Sequence, residues 1–217
     1  MSSRAVIFDC DGVLIESELL ANRTEVEALN AIGAAFTPEG YMSRFMGLSD
    51  AAARALLADE FGIAPADAFW QRVRAQCYCV FARELRAMPG IEPLLSTLRL
   101  PACVASSSST ERLYFTLGLT DLLRFFPERV YSSQQVQRGK PHPDLFLYAA
   151  TQLGAAPAAC IVVEDSPLGV QAAHAAGMRV IGFSGGSHMS EEARRRLQAA
   201  GPETIVDGTV ALARLLQ

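Results

Sequence analysis

Ala5-Val6-Ile7-Phe8-Asp9-Cys10-Asp11-Gly12 decides the reading of this chain: four apolar residues run directly into two acids one residue apart, and a glycine closes the stretch. An unbroken apolar run is the pattern of a central strand buried on both faces, as in a parallel sheet covered by helices. Ligands of open α/β sheets bind beyond the carboxyl ends of the strands, which is where Asp9 and Asp11 stand. Asp-Gly is also a hairpin signal. Here, however, Ser17 to Ile32 carries Leu19, Val26 and Leu29 at helical spacing with Gly33 as a stop, so no second strand is at hand. An EF-hand loop needs an oxygen ligand at its fifth position and glycine at its sixth, and this chain has Val13 and Leu14 there.

Outward from this stretch, no strand pattern returns until about Pro101, although a crossover between parallel strands needs only a few tens of residues. Residues 13–88 therefore read as an insertion. Helices are expected over Ser17 to Ile32, over Asp50 to Phe61 with Gly62 closing it, and over Asp67 to Leu85 with Phe69, Trp70, Val73, Cys77, Val80 and Phe81 recurring every three to four residues. This is a small helical bundle, with Trp70 and Phe81 as its core, and Met88-Pro89-Gly90 returns the chain to the sheet. From Ile91 strands and helices alternate, with strands expected at 101–105, 129–131, 160–163, 179–183 and 204–206. The fold class is α/β, a doubly wound parallel sheet formed by 1–12 and 89–217, with a helical domain inserted at 13–88. Gly185-Gly186-Ser187-His188-Met189 resembles an expression scar, but lies between a strand and a helix and is taken as a native loop.

Half of the 217 residues are hydrophobic and the net charge is −4, which gives no basic footprint for nucleic acid or an anionic membrane. With neither a signal-peptide pattern nor an apolar run of membrane-spanning length, a cytoplasmic protein is expected. A small-molecule partner fits, and a monomer is expected. The five cysteines are irregularly spaced and read as buried free thiols. Eighteen arginines accompany a single lysine, Lys140.

Chemistry collects at the strand ends. Ala102 to Ala105 runs into Ser106-Ser107-Ser108-Ser109-Thr110 and a helix start. A serine run is commonly a linker or a cap, but at this position its small side chains and free N–H groups, with Ser106 first and Ser107 next, would cradle a phosphate. Lys140 stands in Arg138-Gly139-Lys140-Pro141-His142-Pro143-Asp144, where two prolines stiffen the loop that aims it. His142 reads as a turn residue, and His174 and His188 have no neighbours in sequence that suggest a metal. Cys160 to Val163 ends in Glu164-Asp165. Adjacent acids suit a helix start, and they also suit Mg²⁺, so the Asp9 and Glu164 pairs could meet at one ion.

With this order of motifs the sequence resembles the haloacid dehalogenase superfamily of aspartate-nucleophile phosphotransferases. Asp9-Cys10-Asp11-Gly12 matches its first motif, Ser106 its second, Lys140 its third and Glu164-Asp165 its fourth, and the insertion matches its helical cap. Phe8 to Glu18, Arg124 to Asp144 and Gly177 to Phe183 look most like the 6-phosphogluconate and sugar-phosphate phosphatase branch. The resemblance implies a phosphatase acting on small phosphorylated metabolites. Asp9 would be the nucleophile and Asp11 an acid and base that must hold a proton. Ser106, Ser107 and Lys140 would sit on the phosphoryl group, together with Asp9 and Asp11. Mg²⁺ would be held by Asp9, Asp165 and the Asp11 carbonyl, with Glu164 direct or through water. Asp11 argues against a dehalogenase, and the absence of lysine from 13–88 against a phosphonatase. Ala21 and Asp50 stand where the sugar-phosphate mutase branch has a histidine and an arginine. A phospho-ligand binding protein without turnover is the alternative outside enzymes. Glu16 stands where many relatives have aspartate, at the cap hinge. Replacing Lys140 by arginine is expected to damage turnover and leave stability nearly unchanged.

Overall fold

The structure is a computed structural model that describes residues 4–216. Six strands, β1 (Ala5–Phe8), β2 (Ala102–Ser106), β3 (Val130–Ser132), β4 (Cys160–Glu164), β5 (Arg179–Phe183) and β6 (Thr204–Val206), form one sheet in the order β3-β2-β1-β4-β5-β6. Every neighbouring pair is parallel. The order runs outward in both directions from β1 and β4, the doubly wound arrangement, so the ligand crevice lies beyond the carboxyl ends of those two strands. Glu164 and Ser106 belong to their strands, each one residue further than the sequence reading placed the end: Ser106 pairs with Ser132 and Glu164 with Gly182.

The side-chain period of two sorts the strand residues. Val6, Phe8, Val104 and Val163 join one apolar cluster, and Ala5, Ile7, Ala105 and Val162 the other. A buried Phe8 or Ile7 contributes about 1.5–3 kcal/mol relative to exposure, which is why this strand sits at the centre of the sheet and not at an edge.

The insertion forms four helices where three were expected: α1 (Glu18–Ala31), α2 (Pro38–Phe45), α3 (Asp50–Phe61) and α4 (Asp67–Glu84). α2 was hidden by Pro38 and Gly40, but proline is favourable at a first helical position, and the Thr37 hydroxyl caps it by accepting from Gly40 N at 3.1 Å. Tyr41 and Phe45, one helical turn apart, are buried with their rings stacked at 4.3 Å, so packing overrides the weak propensity. Phe81 belongs to the core of these helices, as expected, whereas Trp70 is half-buried and lines the pocket described below. Cys79 is exposed and departs from the expected burial; the other four cysteines are buried and free. The two ends of the insertion lie side by side, with Glu16 N donating to Arg86 O at 3.0 Å and Met88 N to Leu14 O at 2.8 Å.

The remaining helices cover the sheet. α5 (Ile91–Thr97), α6 (Thr110–Leu119) and α10 (Thr209–Leu216) pack on the Phe8 side, and α7 (Asp144–Gln152), α8 (Pro167–Ala175) and α9 (Glu191–Ala199) contribute to the Ile7 side. No helix among the described residues is long and apolar enough to cross a membrane.

Candidate active site

Asp9 is the first residue past β1, and its N–H still bonds to the sheet, donating to Val163 O at 2.9 Å. The chain then turns sharply, because the Cys10 carbonyl accepts from Leu14 N at 2.9 Å and Gly12 adopts φ +77°. This conformation is open to glycine and strained for other residues. A Cβ on Gly12 would also overlap Asp165 Oδ2 and the His188 ring, so glycine is required twice over. The turn brings both acids to the mouth of the crevice, each 7 % exposed.

Lys140 reaches them from the loop before α7. Arg138 clasps Asp144 through Nε and Nη2, at 3.0 and 2.8 Å, and closes that loop. The Lys140 ammonium donates to Asp9 Oδ1 at 2.7 Å and Glu164 Oε1 at 2.5 Å, and lies 4.9 Å from the centre of the Phe146 ring. Its side chain is 2 % exposed, which excludes a solvated surface lysine. Burial works against the ammonium, but Asp9 and Glu164 outweigh it and hold Lys140 charged above its usual range. Glu164 Oε2 accepts from Ser166 N and Oγ at 3.0 and 2.9 Å, so both oxygens of this carboxylate have partners within the protein.

Asp9, Glu164 and Asp165 each offer an oxygen within 4.8 Å of the others, and all three are buried. Asp9 is pushed well above the ordinary carboxylate value by burial; Lys140 opposes this, while Glu164, Asp165 and Asp11 add to it. Asp165 is raised by burial too, against the pull of His188. Asp165 Oδ2 carries no well-directed hydrogen bond. An oxygen-only donor set of three buried carboxylates fits a hard divalent cation such as Mg²⁺.

The Asp11 side chain points away from this cluster. Its Oδ1 accepts from Ser17 Oγ at 2.5 Å and Arg112 Nη2 at 2.9 Å, and its Oδ2 from Ser108 Oγ at 2.7 Å. Burial alone would raise it, but Arg112, Ser17 and Ser108 prevail and hold Asp11 below the usual carboxylate range. In this arrangement these partners favour the ionised carboxylate, whereas the expected first role of Asp11 needs it to hold a proton. The serine run is a built loop and not a linker. Ser106 Oγ accepts from Ser108 N at 3.1 Å, Ser107 Oγ donates to Gly47 O at 3.4 Å, and Ser109 caps α6. Ser132 and Ser133 brace it from the end of β3, donating to Ser108 O at 2.6 Å and Ser107 O at 2.9 Å. Asp9, Asp11, Ser106, Ser107, Lys140, Glu164 and Asp165 all line one pocket, whose other wall carries Asn22, Glu25, Tyr41 and Trp70 from the insertion.

A family model for haloacid dehalogenase-like hydrolases matches residues 3–177. The chain belongs to this family. The 6-phosphogluconate phosphatase of Escherichia coli (strain K12) is 34 % identical over 185 residues, which cover 85 % of this chain and 84 % of that protein. The phosphorylated carbohydrates phosphatase of Thermotoga maritima is 31 % identical over 181 residues, covering 82 % and 83 %. Among solved structures, a conserved haloacid dehalogenase-like protein of unknown function from Agrobacterium tumefaciens str. C58 aligns with a TM-score of 0.85 at 34 % identity, covering 99 % of this chain and 97 % of that one.

Three residues of this haloacid dehalogenase-like site escaped the sequence reading. Arg112 lies in the first turn of α6, where a cation opposes the positive helix end. That misplaced charge is the signal that could have found it, since it answers Asp11 and stacks 5.2 Å from the Phe81 ring centre. Ser108 was read only as part of a run. His188, dismissed for want of neighbours in sequence, is 4 % exposed with Nε2 3.0 Å from Asp165 Oδ2. Burial disfavours its charge, and Asp165 prevails and raises it to about 9.

Glu18, on the first turn of α1, is pushed up to about 7 by burial and by Asp11. A folded value above the unfolded one means that the folded state binds the proton more tightly, so stability falls as pH rises from the unfolded value to about 7 and then levels off. Glu18→Gln removes this slope. In chelator, its melting temperature is expected to gain on the parent's across that window and to run parallel above it. A constant difference from pH 4.5 to 8 would show that Glu18 titrates as an exposed acid.

Proposed function

We propose that this hydrolase is a Mg²⁺-dependent phosphatase of small phosphate monoesters of the sugar-phosphate or phosphogluconate type, acting through an aspartyl-phosphate on Asp9. The observation that carries the proposal is the buried Lys140 ammonium shared by Asp9 and Glu164 at the carboxyl ends of β1 and β4, next to Asp165. The two phosphatases named above, each similar over more than four-fifths of the chain, support the substrate class.

Hydrolysis of a phosphate monoester demands removal of on the order of 20 kcal/mol of barrier, supplied mainly by positioning and charge neutralisation. Asp9 attacks phosphorus through a carboxylate oxygen, and the bond to the leaving oxygen breaks. Lys140 opposes the rise that burial imposes on Asp9 and offers a donor to the phosphoryl oxygens, while Glu164, with both oxygens engaged, aims Lys140. Ser106 and Ser107 present hydroxyl and N–H groups to the same phosphoryl group. Asp11 must carry a proton to the leaving oxygen and then take one from the water that opens the aspartyl-phosphate. Its ionised state, held by Arg112, is already the base of the second half-reaction. Mg²⁺, held by Asp9, Asp165 and the Asp11 carbonyl, would supply charge that offsets the repulsion between anionic substrate and anionic nucleophile.

Residues 13–88 act in this proposal as a cap that closes over the pocket, excludes water and selects the leaving group. Ala21 and Asp50 both line the pocket, so the positions that serve mutases are turned to the site without a histidine or an arginine. That favours hydrolysis over transfer.

The test is turnover of p-nitrophenyl phosphate with Mg²⁺, followed by a screen of 6-phosphogluconate and hexose phosphates. Excess chelator is expected to abolish turnover and Mg²⁺ to restore it, while Asp165→Ala stays folded without metal-dependent activity. Undiminished turnover in chelator would remove the metal from the proposal, and a folded chain that binds phosphate without turnover would make it a binding protein.

A further inference from the structure

His188 lies in the loop between β5 and α9, the one whose Gly-Gly-Ser-His-Met sequence resembles a cloning remnant. The ring is wedged between Gly12 and Gly186, and a Cβ on either glycine would overlap it. Its Nε2 is 3.0 Å from Asp165 Oδ2, yet neither ring nitrogen makes a well-directed hydrogen bond. The loop is pinned by the start of the insertion: the Glu16 carboxylate accepts from Ser187 N at 3.0 Å and Ser187 Oγ at 2.6 Å. Glu16 N is itself tied to Arg86 O at 3.0 Å, so both ends of the insertion meet behind this loop.

We propose that His188 is a positioning residue for Asp165: it fixes the carboxylate that would face the divalent ion, and the Glu16–Ser187 tie fixes His188. The proposal rests on the reading of Asp165 as a metal ligand. Asp165 shares a small buried volume with Asp9 and Glu164, and without an opposing partner mutual repulsion would turn its carboxylate away. An imidazole on Oδ2 holds it in place. Oxygen-seeking Mg²⁺ has little use for a ring nitrogen as a ligand, so His188 acts through Asp165. Groups that hold a ligating side chain in this way typically change metal affinity by about 10–100-fold when removed. The tie to Glu16 places the same carboxylate under the influence of the hinge between insertion and sheet.

Mn²⁺ binding to the metal-stripped full chain, read as loss of the free-ion signal in electron paramagnetic resonance, tests this alongside thermal melts in chelator. The parent is expected to bind and Asp165→Ala to lose binding. His188→Ala is expected to bind at least about tenfold more weakly, His188→Gln, which keeps an N–H, to recover part of that loss, and Glu16→Ala to weaken binding in the same direction. Parental Mn²⁺ affinity in His188→Ala, with or without a lower melting temperature, overturns the proposal and leaves the metal site standing. If His188→Ala does not fold, Glu16→Ala decides: weakened binding supports the proposal and parental affinity overturns it. Parental binding by Asp165→Ala would instead overturn the metal reading itself.

Discussion

Asp9→Asn is expected to lower kcat by at least about three orders of magnitude, because removing a covalent nucleophile removes the reaction path and not one contact along it. The same substitution should leave the fold intact. Asp9 sits in a cluster where burial and three neighbouring acids disfavour its charge, so a neutral side chain of the same shape relieves repulsion, and Lys140 keeps Glu164 as a partner at 2.5 Å. Steady-state turnover and a thermal melt of the variant check both halves. Rapid quench of the parent with a labelled phosphate ester should trap phosphate on Asp9, and Asp11→Asn should prolong it by withholding the base. Absence of labelled enzyme in both proteins would point to direct attack by water, and near-parental turnover of Asp9→Asn would remove the nucleophile assignment.

Lys140→Arg is expected to lower kcat/KM by at least about a hundredfold although the charge is kept, the size of effect seen when a charge-stabilising donor is displaced. An ammonium is a compact point charge with three donors; here it serves Asp9 and Glu164 and, in the proposed reaction, an incoming phosphoryl oxygen, whereas a guanidinium is a wide planar fork. The structure changes the second half of the expectation formed from sequence, in which stability was unaffected. With the side chain 2 % exposed and the Phe146 ring 4.9 Å away, the larger group overpacks the site. A cost of about 1–3 kcal/mol follows, visible as a lower denaturation midpoint. Kinetics close to the parent's would take Lys140 out of the reaction, and unchanged stability would show that the loop yields to the larger side chain.

The legible part of this protein was written in short, local patterns. Four apolar residues before Asp9, and similar runs before Ser106 and Glu164, announce buried parallel strands because only a strand covered on both faces tolerates them. Polar residues immediately after such runs must lie at the carboxyl edge of the sheet, which gathers the acids and the serines there, and the proline-stiffened loop that follows a further strand adds Lys140. The arginine-rich composition made the lone lysine conspicuous. α2 was missed because its signals, Pro38 and Gly40, also describe a loop, and only the aromatic packing of Tyr41 and Phe45 decides between them.

By itself the sequence determined the doubly wound sheet, the helical insertion and the strand ends at which the candidate site lies, since these follow from hydrophobic period and chain direction. The tertiary structure alone decided how the polar groups are paired. Arg112 meets Asp11 across 101 positions, Lys140 meets Asp9 across 131, and the His188 loop meets Glu16 across 171. Charge and hydrogen-bond energies depend on separation through space and on exclusion of water, and neither quantity has a period along the chain. For that reason the partners of Asp11, Arg112 above all, which hold its carboxyl below the usual range, are visible only in the folded molecule.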